Sequence, residues 1–226
     1  MKRGKKYKAS AKNYDPMNSY ELKEAVTLVK KMAYAKFDES VDLSIKLNLK
    51  KSQAVRDTVV LPHQFRGDKK VLVFCKPEKE KEAQEAGAAF VGADDLIEKV
   101  KGGWTDFDIA VATPDMMKDV GKLGMVLGRK GLMPNPKTGT VTFDLKGTLA
   151  ELRKGRVEFR ADKTGVVHLV VGKVSMEPEK VAENIDVVVT EIKRKRPPDV
   201  KGEFIQSVSV ASTMGPGVWV AMRDQE

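Results

Sequence analysis

Apolar and polar residues alternate strictly in the segment SVDLSIKLNL, residues 40–49. Every second position is apolar: Val41, Leu43, Ile45, Leu47 and Leu49. This pattern is typical of a strand with one face on a core and the other in water. Residues 155–173 predict two more strands joined by a turn at 163–165. Residues 202–221 predict a further pair joined through 214–217. An antiparallel sheet built from both ends of the chain follows.

Two amphipathic helices accompany these strands. Residues 21–33 place one set of apolar residues on a common side: Leu22, Ala25, Val26, Val29 and Ala33. Residues 177–196 do the same with Val181, Ile185, Val188 and Ile192, and this helix ends before Pro197 and Pro198. Because each helix has a single apolar side, both are expected to pack against the sheet.

Residues 69–144 follow a different scheme, in which short apolar runs alternate with helical patterns. The predicted strands are KKVLVFC, AAFVG and FDIAVAT, and the predicted helices are PEKEKEAQEAG, DDLIEKV and PDMMKDVGKLGMVL. Such alternation predicts β-α-β units and a mainly parallel sheet. The chain is therefore expected to be an α/β protein, with a second domain inserted between about residues 66 and 158 of a discontinuous α+β domain.

Charge adds a candidate partner to this picture. The 226 residues carry 41 Lys and Arg against 32 Asp and Glu, a formal net charge of +9. Residues 1–12, MKRGKKYKASAK, contain six of these cations and no acid. A basic arm of this kind suits a polyanion such as nucleic acid, because it neutralises phosphates and releases counterions. A solubilising tail is an equally good interpretation.

Cysteine use and hydropathy indicate where the protein works. Cys75 is the only cysteine, so an intrachain disulfide is impossible and a reducing cytosol is the natural setting. The basic N-terminus is not followed by the apolar stretch of a secretory signal. No apolar run approaches the roughly 18 residues of a membrane helix. A cytoplasmic protein with no membrane partner is expected.

The glycine-rich segment LGRKGLMPNPKTGT, residues 127–140, is the obvious place for a phosphate site. A Walker loop needs Lys followed by Ser or Thr, and this hydroxyl is missing after Gly121-Lys122 and Gly128-Arg129. The first predicted strand of the insert is followed by CKPEKEKE, which lacks a dinucleotide fingerprint. Residues 128–131 resemble the Gly-x-x-Gly loop of KH-type RNA binders. The alternative is a helix that ends at Leu127 with Gly128 as its cap.

Metal and acid–base sites receive no support from the sequence. His63 and His168 are far apart, and neither has ligand spacing to Cys75 or to the other. His168 and Cys75 are expected to be structural residues within strands. The paired acids at 94–95 and at 106 and 108 stand at helix starts and turns, where capping explains them. No catalytic residue, metal or cofactor is predicted.

Two other segments are better candidates for binding. In AKFDESVD, Phe37 has the same parity as Val41 and Leu43, which favours a core position. The flanking Lys36 and the polar residues 38–40 instead favour an exposed junction, at which an aromatic ring could stack on RNA. In STMGPG, glycines are expected to supply a turn with positive φ, and the hydroxyls of residues 212 and 213 are available as hydrogen-bond partners.

Five segments in this order resemble the bacterial ribosomal proteins that form the mobile stalk near the tRNA exit site of the large subunit (ribosomal protein L-one). They are AKFDESVDL, VATPDMM, VGKLGMVLGRKGLMPNPKTGTV, EFRADKTGVVH and STMGPGV. The resemblance implies an RNA-binding domain of residues 1–66 and 159–226. It also implies an inserted Rossmann-like, three-layer α/β domain of residues 67–158.

The resemblance also implies partners and site residues. The partners are large-subunit ribosomal RNA, exit-site tRNA during release of deacylated tRNA, and the protein's own operon mRNA, whose translation it represses; the free protein is a monomer. The family's RNA-contacting positions fall here on Lys36, Phe37, Ser40, Asp42, Lys163, His168, Ser212, Thr213, Met214 and Gly215. Many members have Glu, Thr and Pro where this chain has Asp42, Ser212 and Arg129.

The expected function is therefore that of a non-enzymatic constituent of the large ribosomal subunit. A basic loop with Arg129, Lys130 and Lys137 is predicted to touch the stalk RNA a second time. The alternatives are a nucleotide-binding α/β enzyme, disfavoured by the missing phosphate motif, and a general nucleic-acid chaperone that acts through its basic arm. The second alternative predicts that removal of residues 1–12 abolishes binding.

Overall fold

The computed structural model describes residues 3–50, 55–65, 67, 69–198, 200 and 202–221. The strands are β1 (Ser19–Tyr20), β2 (Ser40–Leu47), β3 (Arg56–Val60), β4 (Val71–Phe74), β5 (Phe90–Gly92), β6 (Ile109–Ala112), β7 (Arg156–Arg160), β8 (Val166–Lys173), β9 (Ile205–Ser212) and β10 (Gly217–Val220). The helices are α1 (Lys5–Ser10), α2 (Leu22–Met32), α3 (Pro77–Glu85), α4 (Asp94–Lys101), α5 (Met117–Gly121), α6 (Gly124–Lys130), α7 (Leu145–Arg153) and α8 (Pro178–Arg194). Short 3-10 helices cover Ala11–Asn13, Pro114–Met116 and Pro136–Thr138.

Backbone contacts divide the chain into two compact units. The first unit combines Met1–Phe65 with Glu158–Glu226, and the second is Arg66–Val157. Each unit has its own sheet and its own core.

The first unit is built on a five-stranded sheet in the order β1-β10-β9-β2-β8. Its neighbours run antiparallel, except for the parallel pair β1 and β10. Along β2 the side chains of Val41, Leu43, Ile45 and Leu47 are buried, as the alternation predicts, whereas Leu49 lies beyond the end of the strand. The buried faces of α2 and α8 complete this core, and they include Val26, Val29, Val181, Ile185 and Val188.

The two strands predicted within residues 155–173 are both present, but they belong to different sheets. β7 pairs with β3 in a separate two-stranded sheet, whereas β8 pairs with β2. The turn between them places Gly165 at φ +80°, and a Cβ at this residue would lie 3.0 Å from the backbone oxygen of Leu47. Glycine is therefore required here on two grounds, conformation and space.

The second unit has three layers around a parallel sheet in the order β5-β4-β6. Leu72 and Phe74 of β4 pack into a core shared with residues of α4, α5 and α6. Val71 and Val73, with the following Cys75, pack on the opposite face against residues of α3 and α7. Because a parallel strand is buried on both faces, this part of the sequence is a continuous apolar run. The α/β class expected from the sequence is confirmed.

The prediction of a single helix over residues 114–127 is wrong in detail. This segment is a 3-10 turn followed by two short helices, α5 and α6, which are separated at Lys122 and Leu123. Gly121 and Gly124 border the break, and glycine is the weakest helix former apart from proline. α6 then continues to Lys130 and is capped by Gly131 at φ 70°. The prediction that Gly128 caps a helix ending at Leu127 is therefore also wrong.

Candidate nucleic-acid interface

Two segments of the first unit come together at one end of the sheet. Residues 33–40 connect α2 to β2, and residues 212–217 connect β9 to β10. β2 and β9 are neighbours with Val41 opposite Ser212, and the Thr213 backbone N–H donates to the Ser40 carbonyl at 3.1 Å. The Lys-Phe junction and the Thr-Met-Gly turn, which are far apart in sequence, therefore form one surface. We call it the junction surface, residues 33–40 with 212–217.

The carboxylate of Glu39 holds the two segments together. Its Oε1 accepts from the backbone N–H of Tyr34 at 3.0 Å and of Ala35 at 2.7 Å, and its Oε2 accepts from the Met214 N–H at 3.1 Å. Glu39 is only 1% exposed. Sequence reasoning missed this residue and placed it on an exposed polar run. Its parity with Val41 was the signal that could have shown it to be buried.

The environment of Glu39 favours the ionised carboxylate. Burial by itself raises the pKa of this group, but the N–H groups of Ala35 and Met214, the Ser212 hydroxyl and the Tyr34 N–H together bring the pKa below its ordinary value. A charge buried in this way is stable only when hydrogen bonds compensate for lost hydration. Glu39 therefore holds the two segments together from inside the protein and is not available to a ligand.

Further contacts fix the positions of both segments. The Tyr34 hydroxyl donates to the Met214 carbonyl at 2.8 Å. Asp38 accepts from the Ser175 N–H at 3.1 Å and from its hydroxyl at 2.9 Å, which ties the junction to the end of β8. Since most of these acceptors and donors are backbone groups, the path of the main chain is set independently of the outward side chains.

The hydroxyl of Thr213 is engaged within the protein. It accepts from the Ser40 N–H at 2.9 Å and lies 3.3 Å from the Ser40 carbonyl, to which it can donate. The sequence suggested this hydroxyl as a partner for a ligand. In the structure its first role is to join the turn to the start of β2.

Gly215 is needed for space rather than for an unusual backbone conformation. The expectation of positive φ in this turn is wrong, because neither Gly215 nor Gly217 has a φ in that region. A Cβ on Gly215 would instead lie 2.4 Å from the Oγ of Ser212, and Ser212 itself is buried. The Ser212 hydroxyl therefore packs directly against Gly215.

Large apolar side chains stand on the outside of this rigid frame. Phe37 is 57% exposed and Met214 is 50% exposed, and Lys36 is exposed beside Phe37. The core position that parity suggested for Phe37 is wrong, because the strand begins only at Ser40 and the alternation of buried positions ends at Glu39. The exposed junction that the sequence offered as the alternative is confirmed.

The remaining predicted residues are spread along β2 and β8. Asp42 is half-buried on the side of the sheet opposite Val41 and Leu43. Burial raises its pKa, and nearby His168 partly offsets this effect. His168 stands opposite Ser44, with its Nδ1 3.0 Å from the Ser44 hydroxyl. Lys163 lies before β8, whereas Ser40 pairs with Lys173 at the other end. Seven residues of strand separate these ends, about 24 Å, so the structure does not bring Lys163 to the junction surface.

The basic arm is folded beside the junction surface over its described part, which begins at residue 3. The Ser10 hydroxyl donates to the Met32 carbonyl at 2.9 Å, at the C-terminal end of α2. The Tyr14 hydroxyl donates to the Gly217 carbonyl at 3.1 Å. These contacts place the lysines of α1 and of the following turn near Met32, which precedes the junction surface, and near Gly217, at its end.

The glycine-rich segment of the second unit has a different construction. Arg129 and Lys130 occupy the last turn of α6, where cations are favoured by the helix dipole, so residues 128–131 are a helix end and not a KH-type loop. Lys137 lies in the 3-10 helix capped by Asn135, whose Oδ1 accepts from the Lys137 N–H at 2.9 Å. Thr138 and Thr140 donate to the Asn135 carbonyl at 3.0 and 3.1 Å.

Other candidate chemistry is absent from the parts of the chain that the structure describes. No group of three His, Cys, Asp or Glu side chains is placed to hold a metal there. His63 pairs with Glu183 at 2.5 Å, and burial raises the pKa of the Cys75 thiol to about 11. None of the helices described is both long enough and apolar enough to span a membrane.

Taken together, these observations define a two-unit α/β protein in which two distant segments of the first unit form one closely hydrogen-bonded surface. Comparison with known proteins gives the family. Residues 29–216 match the family model described as the ribosomal protein L1p/L10e family. The chain is 66% identical over 220 residues to the large ribosomal subunit protein uL1 of Treponema denticola, covering 97% of each chain. It is 59% identical over 226 residues to that of Treponema pallidum strain Nichols, covering all of both chains. To that of Borrelia hermsii it is 58% identical over 217 residues, covering 96% of this chain and 97% of the relative.

The chain therefore belongs to the ribosomal protein L1p/L10e family. Membership makes it a structural protein of the large ribosomal subunit and not an enzyme, in agreement with the class predicted from the sequence. The predicted cytoplasmic location follows from the same membership. The alternative of a nucleotide-binding α/β enzyme is set aside.

Proposed function

We propose that the first unit binds large-subunit ribosomal RNA at the junction surface. One observation carries this proposal: two segments that are 173 residues apart at Ser40 and Thr213 are fastened by a buried carboxylate, and yet they expose Phe37 and Met214. A protein does not gain stability by holding large apolar groups in water. A rigid frame that presents them is what stacking on unpaired bases requires.

The polar residues around the surface have distinct roles in this proposal. Lys36 meets phosphate beside a base stacked on Phe37. Asp42 accepts from a base amine or a ribose 2′-hydroxyl, which is the arrangement in which a carboxylate beside RNA is tolerated. The backbone edge around Gly215 lets the RNA approach closely. Ser212 is one of the positions that the resemblance implies. Its role in this proposal is to support that edge, since its side chain is buried.

The basic arm supplies the electrostatic part of the affinity. The formal net charge of +9 and the lysines of the arm attract the phosphate backbone whatever its sequence, and release of counterions makes this part salt-dependent. Because the arm is docked beside the junction surface, its contribution should add to specific binding. His168 and Lys163 would meet RNA further along the sheet.

The finer roles follow from the resemblance and are part of the proposal. The complex with ribosomal RNA forms the mobile stalk near the tRNA exit site, where the protein contacts deacylated tRNA as it leaves. A similar RNA structure in the protein's own operon mRNA competes for the same surface, so that excess protein represses its own synthesis. The free protein is a monomer, which sedimentation at several concentrations checks.

Filter binding to the ribosomal stalk fragment, and to the leader transcript, tests the proposal across a series of salt concentrations. Phe37→Ala should weaken binding by about 1–3 kcal/mol, the range for an aromatic that stacks on a base. Phe143→Ala is the matched control, because Phe143 is 56% exposed on the second unit. Equal losses in the two variants would contradict the proposal.

A second pair of variants examines the turn. Thr213→Ala removes the hydroxyl that engages Ser40 and should cost a similar 1–3 kcal/mol of RNA binding, whereas Thr213→Ser keeps the hydroxyl and should bind almost normally. Deletion of residues 1–12 should mainly reduce the salt dependence. If that deletion abolishes binding while Thr213→Ala leaves it intact, the protein is a general nucleic-acid chaperone.

A further inference from the structure

A tryptophan stands exposed on the face of the five-stranded sheet that is turned away from the helices. Val218 and Val220 of β10 are buried on the helix side, and Trp219 between them is 45% exposed. Its position follows from strand geometry, since successive side chains point to opposite faces. Tryptophan has the largest apolar surface of any side chain, so its partial exposure to water on a strand needs a physical explanation.

The strand neighbours of Trp219 leave its side chain partly exposed. In the sheet register it stands between Ser19 of β1 and Ser209 of β9. The same row continues through Ser44 of β2 to His168 of β8. Small side chains on both flanks do not shield an indole ring. The three strand intervals from Trp219 to His168 span about 14 Å, which is room for a few nucleotides.

This row is continuous with the proposed RNA site. The adjacent row runs from Gly217 through Ala211 to Asp42, and Gly217 closes the junction surface. On the other side of the row, Lys46 stands opposite Ser207. Trp219 is therefore one row away from a proposed RNA-contacting carboxylate and within the same open face as a lysine. This continuity favours RNA over an unrelated protein as the occupant of the face.

We propose that Trp219 stacks against an unpaired RNA base next to the nucleotides held at the junction surface, and that the row from Ser209 to His168 borders the same strand. The hydrogen bond between Ser44 and Nδ1 of His168 orients the imidazole at the far end of this row, where it meets ribose or phosphate. Aromatic side chains on an open sheet face are an established way to bind single-stranded RNA, and stacking tolerates any base. The inference rests on the proposed function. Trp219 lies outside residues 29–216, the range that matches the family model.

Tryptophan fluorescence gives a direct test. The chain has two tryptophans, and Trp104 belongs to the second unit, where it packs on Phe90. In the Trp104→Phe protein, Trp219 is the only reporter. Its emission should be quenched when a stalk fragment with unpaired flanking nucleotides binds, and should stay unchanged with a fragment trimmed of them. Unchanged emission with both fragments, despite binding, overturns the inference.

Affinity provides an independent measurement on the full chain. Trp219→Ala should weaken binding of the untrimmed fragment by about 5- to 150-fold, and Trp219→Phe should retain most of the affinity. Binding of the trimmed fragment should be the same in all three proteins, which also shows that the variants fold. Equal loss with both fragments means a structural role and overturns the inference.

Two other outcomes separate the inference from the function on which it rests. If the unaltered chain does not bind the stalk fragment, the proposed function fails and the stacking role fails with it. If Trp219 emission depends on protein concentration without RNA, a second copy of the chain covers this face, and only the inference is overturned.

Discussion

Two turns of this protein are rich in glycine, proline and threonine, yet they are held in opposite ways. Residues 212–217 are held by hydrogen bonds to groups outside the turn. These groups are the Glu39 carboxylate, the Tyr34 hydroxyl and the Ser40 backbone. Residues 135–140 are held mainly by their own residues Asn135, Thr138 and Thr140, with one outside bond from the Ala112 N–H to the Thr140 carbonyl at 3.0 Å. The first turn presents Met214 on the same surface as exposed Phe37, and the second presents one cation, Lys137. The comparison shows that a turn becomes part of a site through what it contacts.

This difference has a consequence for how each turn fails. A turn that depends on a distant carboxylate loses its shape when that one group is removed, and the surface on the partner segment is lost with it. A turn that closes on itself loses only its own order. Four predictions test this contrast.

The largest effect is expected from Glu39→Ala. The change leaves the part-buried N–H groups of Tyr34, Ala35 and Met214 without their carboxylate acceptor, and each unsatisfied group costs at most about 1–3 kcal/mol. We expect the free energy of unfolding of the first unit to fall by about 2–4 kcal/mol, with loss of RNA binding. Urea unfolding and filter binding measure the two.

The exposed acid Glu203 of the same unit is the control. Glu203→Ala should change the free energy of unfolding by no more than about 0.5 kcal/mol. Similar losses in both variants would show that Glu39 is an ordinary surface charge, and the contrast between the turns would fall.

Low pH should weaken the hydrogen bonds that Glu39 accepts from the two segments. The folded protein holds the pKa of Glu39 below its ordinary value of 4.5. The stabilisation is therefore complete above pH 4.5 and is lost as the pH falls through the lower folded pKa. The free energy of unfolding, measured from neutral pH downwards, should fall more steeply in the unaltered protein than in Glu39→Gln. Parallel curves would show that this carboxylate is not stabilised by folding.

A smaller effect is expected from Asn135→Ala. The change removes the cap of the Pro136–Thr138 helix, at a cost of about 1 kcal/mol. Because the turn is held mainly by its own residues, binding of the minimal RNA fragment should not change. Filter binding measures this affinity, and a thermal melt measures the loss of stability. A loss of minimal-site affinity would mean that the turn supports the main RNA site after all.

The smallest effect is expected from charge reversal at the end of α6. Arg129→Glu with Lys130→Glu should weaken binding of the full stalk RNA and reduce its salt dependence, while binding of the minimal fragment stays the same. The matched control is Lys99→Glu with Lys101→Glu, which alters the last turn of α4 in the same unit. If both RNAs respond equally to the first pair, the predicted second contact is wrong.

Local periodicity predicted most of the fold. β2 and α8 follow from apolar spacing over ten to twenty residues, and the three-layer unit follows from strands alternating with helices. Periodicity could not predict the break in the helix after β6, because the apolar positions Val120, Leu123 and Leu127 remain buried on both sides of it. In that segment Gly121 and Gly124, which border the break, determine where the helix is interrupted.

The site was predicted less completely, for a physical reason. Phe37 and Glu39 share the parity of the core positions, but the charged residue is buried and the aromatic residue is exposed. Burial of Glu39 depends on donors at Tyr34, Ala35 and Met214, and the last of these is 175 residues away. No local pattern carries that information. The segments themselves were singled out from their residues, an aromatic beside a lysine and a glycine turn with two hydroxyls, and the resemblance added the individual positions.

The deep burial of Cys75 makes the protein convenient for spectroscopy. This single thiol is fully buried, and its pKa near 11 leaves almost no thiolate at neutral pH. A cysteine introduced at an exposed position such as Glu203 would then be the one thiol that reacts with a maleimide dye. Labels can be placed on either unit without altering the native cysteine, so each unit can be observed in an otherwise unmodified chain.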